Sequence, residues 1–195
     1  MYAKHLWKKM NDVDEAINVL KAGLHNHETD EEIYLALIKL YKQKLQFDEA
    51  RELLVKGRTK CDCDRIWMQS IQLEREVGDI EQAQKLLTTA IEKYQTFYKL
   101  YLISASIKYQ LGETDEARKI YENAVKNCKP NPILWKEHAV MEINEGNFTK
   151  ARTILQKGRI KLPKNDILWY DTILLEVRAD NMKVATHLCS KALQQ

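Results

Sequence analysis

The chain has 195 residues, a net charge of +3, 45% apolar residues and 30% charged residues. That apolar fraction supports a folded core and excludes a disordered chain, while so small a net charge leaves no whole-chain basic footprint for nucleic acid. No apolar run approaches the roughly 18 residues of a membrane span, and the N-terminus lacks a signal peptide's apolar segment. Cys61, Cys63, Cys128 and Cys189 are too sparse for a disulfide framework, so an intracellular, non-membrane setting is expected.

From the N-terminus onward one feature outranks all others. Ala16, Ala50, Ala83, Ala117, Ala151 and Ala185 recur at spacings of 34, 33, 34, 34 and 34 residues. A repeat of that length predicts an all-α superhelical array, a TPR-like or HAT-like solenoid of paired antiparallel helices, running as a single right-handed array over 1–195. Residues of about 1–27 read as a truncated or capping unit. Five clear pairs follow within 29–195: Thr29 to Lys60, Cys63 to Tyr94, Phe97 to Asn127, Asn131 to Lys161, and Asn165 to Gln195. Lys191 to Gln195 is helix-compatible without a stop signal, as expected where further repeats follow.

Within each pair the positions recur. Tyr34, Trp67, Tyr101, Trp135 and Trp169 lie sixteen residues before the repeating alanine, and Leu40, Leu73, Ile107, Met141 and Leu175 lie six further on. Once-per-unit spacing is the mark of packing, so Trp67, Trp135 and Trp169 are expected to be largely enclosed. Ala50, Ala83, Ala117, Ala151 and Ala185, with Gly57, Ala90, Ala124, Gly158 and Ala192 seven residues later, are the small residues that let helices approach. Gly78, Gly112 and Gly146 mark the turns, being suited to a left-handed helix end. Leu45 and Asp180 stand at the corresponding positions and call for a different cap.

Polar residues offer two sites. Glu142 and Arg152 lie on the two helices of one pair and are expected to form a bidentate structural ion pair. The stretch from Glu145 to Lys164 carries six basic residues against one acidic residue. Within it, Lys157, Arg159, Lys161 and Lys164 are the candidate partner-binding stripe, facing an acidic protein or RNA. Glu28 to Glu32 forms an acidic counterpart at a helix start. Cys61 and Cys63 with His25 and His27 contain metal-ligand types, but the pairs fall in different units near turns, so no metal is expected. His138 sits among packing residues with no fitting nucleophile. With neither a phosphate-binding glycine loop nor a nucleophile elbow, no catalytic residue, cofactor or small-molecule substrate is expected.

The fine pattern separates two kinds of helical repeat. Where the tetratricopeptide pattern puts a late aromatic in the first helix, this chain has Tyr41, Glu74, Lys108, Glu142 and Glu176. Three glutamates in five positions resemble the half-a-tetratricopeptide, or HAT, repeat of RNA-processing proteins. Phrases such as Arg65-Ile66-Trp67-Met68, Ala117-Arg118-Lys119-Ile120-Tyr121, the run Ala151 to Arg159, Lys161 to Asn165, Leu168-Trp169 and Leu175 to Ala179 resemble the carboxy-terminal HAT array of the pre-mRNA-processing factor 6 family. The resemblance is strongest over Arg65 to Gln195. It implies a nuclear scaffold in pre-mRNA splicing that bridges spliceosomal protein components during tri-snRNP assembly, without catalysis. A HAT scaffold of another RNA-processing complex, or direct contact with small nuclear RNA through the basic stretch near 150–164, stand as alternatives.

Overall fold

The computed structural model describes residues 12–194, and residues 1–11 of the expected N-terminal unit lie outside the described residues. Eleven helices occupy the described chain: α1 (Val13–Asn26), α2 (Glu31–Gln43), α3 (Phe47–Lys60), α4 (Asp64–Val77), α5 (Ile80–Lys93), α6 (Tyr98–Gln110), α7 (Thr114–Asn127), α8 (Pro132–Asn144), α9 (Phe148–Lys161), α10 (Asp166–Arg178) and α11 (Met182–Ala192). From α2 onward they form five pairs, and α1 occupies the place of a second helix. The fold is an all-α, TPR-like helical-repeat solenoid. Its helices divide into two compact units, the first ending at Tyr94 and the second beginning at Gln95.

In the first unit, each helix from α1 to α5 packs on its neighbour in sequence, and α2 also touches α4. In the second unit, α6 to α11 do the same, and the first helices α6, α8 and α10 pack side by side. Within each unit, second helices therefore lie apart from one another, each separated from the next by a first helix.

The core follows the repeat. Ala16, Ala50, Ala83, Ala117 and Ala151 are wholly buried, and Ala185 nearly so. Leu40, Leu73, Ile107, Met141 and Leu175 are buried beside them. Small side chains at these positions let neighbouring helices pack closely, the role that their recurrence predicts. Glycine does the same where a ring crosses. At Gly158 an added Cβ would come within 2.9 Å of the Trp135 ring and 3.3 Å of Leu168, and at Gly57 within 3.2 Å of Tyr34 and 3.1 Å of Ile66.

Turn geometry is more uniform than the turn residues. Gly78, Gly112 and Gly146 have positive φ, and so do Leu45 (59°) and Asp180 (57°). The expectation of a different cap at Leu45 and Asp180 is corrected: these residues accept the left-handed conformation themselves, a strain that non-glycine residues bear at about 1 kcal/mol or more. Backbone bonding shows what holds them there. The amides of Gln46, Asp79, Glu113, Asn147 and Asn181 each donate to the carbonyl five residues earlier, closing the same helix-ending motif in every pair.

Trp135 is buried at 8% exposure, while Trp67 and Trp169 are enclosed less completely. Their rings lie beneath guanidinium groups from the preceding second helix. Arg58 sits 5.4 Å from the Trp67 ring centre and Arg159 4.4 Å from that of Trp169. Each indole N–H is satisfied locally, by Asp62 at 3.1 Å and by the Pro163 carbonyl at 2.7 Å. An arginine lid thus replaces the apolar cover that Val125 gives Trp135.

Gly158→Ala tests the crossing. Alanine gains helix propensity of about 1 kcal/mol, yet the Trp135 ring must shift, so a net loss of about 1–3 kcal/mol in urea unfolding is expected. Gly23→Ala, whose Cβ would meet only Ile33 at 3.5 Å, is expected to be neutral or stabilising.

Candidate functional site

The glutamates that distinguish this repeat are buried, and each is gripped by an arginine of the preceding pair. Arg51 Nε and Nη2 donate to both carboxylate oxygens of Glu74 at 2.9 and 2.7 Å. Arg118 does the same to Glu142 at 2.6 and 3.0 Å, and Arg152 to Glu176 at 2.6 and 2.9 Å. In the last two, the turn asparagine five residues after the glutamate completes the site: Asn147 and Asn181 each donate at 3.0 Å. These asparagines stand at helix N-caps but make no capping bond there.

The expected Glu142–Arg152 pair is therefore corrected. Both residues are paired, but each with a partner in an adjoining repeat. The sequence held a signal for this. Pairing within a repeat would leave Arg51 facing Tyr41 and Glu176 facing Thr186, whereas pairing onto the next repeat satisfies all three glutamates. Of the two other steps, the first carries Ile17 and Tyr41 and the second carries Gln84 and Lys108, none of which can make the pair. Lys108 instead bonds Glu113 in its own turn at 2.8 Å. That second step is the one at which the chain divides into its two units.

Electrostatics follow from burial and bonding. Burial alone would raise the Glu142 carboxyl, but hydrogen bonds from Arg118 and Asn147 outweigh it and hold it below the ordinary carboxylate range. The bond from Arg152 does the same for Glu176 against a smaller burial effect. One turn before Glu142, His138 stacks on Tyr121 with ring centres 4.9 Å apart and planes inclined by 9°. Burial pulls the imidazole below its ordinary value, and pushes the Tyr121 hydroxyl up to about 12.

Between second helices α7 and α9, over α8, lies an open groove of about 620 Å³. Val125, Ile154 and the largely buried Trp135 form its floor, while Lys126, Lys150 and Lys157 stand on its exposed sides. Arg118 and Glu142 line one end, already paired with each other.

The expected basic stripe does not form one face. Lys157 enters this groove, and Lys161 lines a smaller recess with Cys128 and Leu134. Arg159 points the other way, onto Trp169, and Lys164 lies with Trp169 on that side. Helical geometry separates Lys157 and Arg159 by roughly 200°, so a stripe drawn along the sequence is split in space. Sequence reasoning missed Lys126, which lies outside the basic run but reaches the same groove. The acidic stretch is likewise occupied: Glu28 pairs with Lys60 at 2.8 Å, Glu31 and Glu32 with Arg65 at 3.0 and 2.6 Å, and Asp30 caps α2.

The residues weighed for metal do not converge. Asp62, between Cys61 and Cys63, accepts from Trp67, Lys93 and Tyr94. Among the described residues no cluster of three or more His, Cys, Asp or Glu is placed to hold an ion. No helix of the described chain is long and apolar enough to cross a membrane.

A family model for the tetratricopeptide repeat matches residues 3–169. The chain belongs to the tetratricopeptide repeat family. Among curated proteins, Protein STABILIZED1 of Arabidopsis thaliana is 38% identical over 52 residues, which are 27% of this chain and only 5% of that protein's length. Two solved tetratricopeptide-like folds illustrate the architecture. Yeast Tom70 superposes with a TM-score of 0.71 at 16% identity, over 92% of this chain and 39% of that one. The C-terminal part of a TPR repeat-containing protein from Cytophaga hutchinsonii gives 0.67 at 18% identity, over 99% and 77%. Tetratricopeptide repeats are binding folds rather than catalytic ones, and this chain is accordingly a non-enzymatic interaction module.

Two measurements examine this region. A double-mutant cycle for Arg118→Leu and Glu142→Leu is expected to show strong coupling, because removing the arginine alone strands a buried carboxylate at a cost of about 3 kcal/mol. The cycle for Glu142 with Arg152 is expected to show little. For His138, the unfolded chain takes up a proton near the ordinary value of about 6.5 while the folded chain resists it. Its contribution is complete above that pH and is lost as pH falls toward the lower folded value. The stability difference between about pH 7.5 and pH 5.5 is expected to shrink in His138→Leu, as read from urea midpoints.

Proposed function

We propose that this chain is a nuclear scaffold in pre-mRNA splicing that bridges protein components during tri-snRNP assembly. The observation that carries the scaffold role is the repeated arginine–glutamate grip across adjoining pairs in each unit, which fixes helix register from within. Exposed positions are thereby free to differ from repeat to repeat, as a surface with several small protein contacts requires. The splicing role rests on the residue-level resemblance over Arg65 to Gln195, including the three glutamates now seen in that grip. Protein rather than RNA is favoured as the direct partner, because Arg159 of the basic stretch and the nearby Trp169 ring are spent on each other.

Affinity purification from nuclear extract, with and without nuclease, tests this. Recovery of spliceosomal proteins that persists after nuclease treatment is expected. Recovery only of cytoplasmic proteins would overturn the splicing and nuclear assignments, and loss of all partners on nuclease treatment would shift the contact to small nuclear RNA.

A further inference from the structure

The α7–α9 groove has an internal counterpart. In the first unit a groove of the same volume, about 620 Å³, lies between α1 and α3 over α2, and most of its lining residues stand 101 positions earlier in sequence. Lys21, Leu24, His25, Tyr34, Leu37, Tyr41, Leu53 and Lys56 answer to Glu122, Val125, Lys126, Trp135, His138, Glu142, Ile154 and Lys157. The shape is shared, but the charge is not. The first groove sets three lysines against three glutamates, among them Glu49 and Glu52. In the second, Lys150 and Thr153 replace those two glutamates, leaving four cations against two carboxylates. One of those cations is Arg118, bound to Glu142, while Lys126, Lys150 and Lys157 make no salt bridge among the described residues.

From this we infer that the α7–α9 groove is a docking site for an acidic amphipathic helix of a partner protein, with its apolar stripe on Val125 and Ile154 and its carboxylates toward Lys126, Lys150 and Lys157. The groove's walls are two second helices that both pack on α8 without substantial contact with each other, so the open slot runs alongside helices and suits a third. Its floor is aliphatic, and Trp135 is buried to 8% exposure, leaving little ring for a base to stack on, which suits leucine side chains better. Positive charge in excess of the lining carboxylates selects an acidic occupant and disfavours a basic one. The inference rests on the chain being a protein-interaction module and names where and what one partner would be.

The test uses the full chain and a fluorescein-labelled helical peptide of about four turns, with leucines at i, i+3, i+4 and i+7 flanked by glutamates. A version with lysines in place of the glutamates, and a single-stranded RNA oligonucleotide, serve as competing probes. Fluorescence anisotropy is expected to show the glutamate peptide binding at least tenfold more tightly than the lysine peptide, weakening with salt. Lys126→Gln, Lys150→Gln and Lys157→Gln combined, with unchanged helical content and melting temperature, are expected to reduce binding tenfold or more. Glu49→Lys with Glu52→Thr is expected to create a second site in the first unit. Equal binding of both peptides, no effect of the triple variant, or preference of the groove for the RNA would each overturn the proposal. If the peptide fails while the chain still captures nuclear protein partners, this site falls and the scaffold role stands.

Discussion

Everything in each unit depends on placing a carboxylate where water cannot reach it. Glu74, Glu142 and Glu176 are almost entirely enclosed, and a bare charge there would be prohibitive. The cost is met because the donors arrive from two directions. A bidentate guanidinium comes from the preceding pair and, at the last two sites, an amide comes from the glutamate's own turn. Because the same glutamate's backbone carbonyl also closes the helix-ending turn, one residue ties together helix end, turn and neighbouring repeat. Apolar contacts can slide by a residue with modest loss; a fork-shaped hydrogen bond cannot.

Against that fixed register the alanines and glycines become intelligible. They are spacers between closely packed helices, present also where Ile17 or Gln84 stands in place of the arginine, and they vary only between a methyl group and a hydrogen. Gly57 and Gly158 occur where a first-helix aromatic of their own pair, Tyr34 or Trp135, crosses closest. Positions outside this lattice are free, and the two grooves illustrate the result: one geometry carries a balanced lining in the first unit and a cationic lining in the second.

Most of the fold was legible because periodicity reports packing directly. An alanine every 34 residues with an aromatic sixteen before it has no other economical cause, and the helix pairs fall where that spacing puts them. What was not legible depended on direction across a joint. Glu142 has arginines both before and after it in sequence, and only the stranded Arg51 and Glu176 reveal which one it takes. The half-buried Trp67 and Trp169 were hidden for a similar reason: their cover is an arginine on the preceding pair, eight residues after the alanine, where the repeats before Tyr101 and Trp135 have Ile91 and Val125. The basic stretch misled because adjacency in sequence is not adjacency on a helix, so Lys126 joined the groove and Arg159 left it.

The arginine lids have an optical consequence. Trp67 reports on the seam between α3 and α4 in the first unit, and Trp169 on that between α9 and α10 in the second, each with a guanidinium against its ring and its indole N–H tied down. Opening either seam would strip the cation from the ring and admit water, changing the emission of that indole. Each unit thus carries a native fluorophore at a seam, and partial opening along the chain can be located without attaching a label.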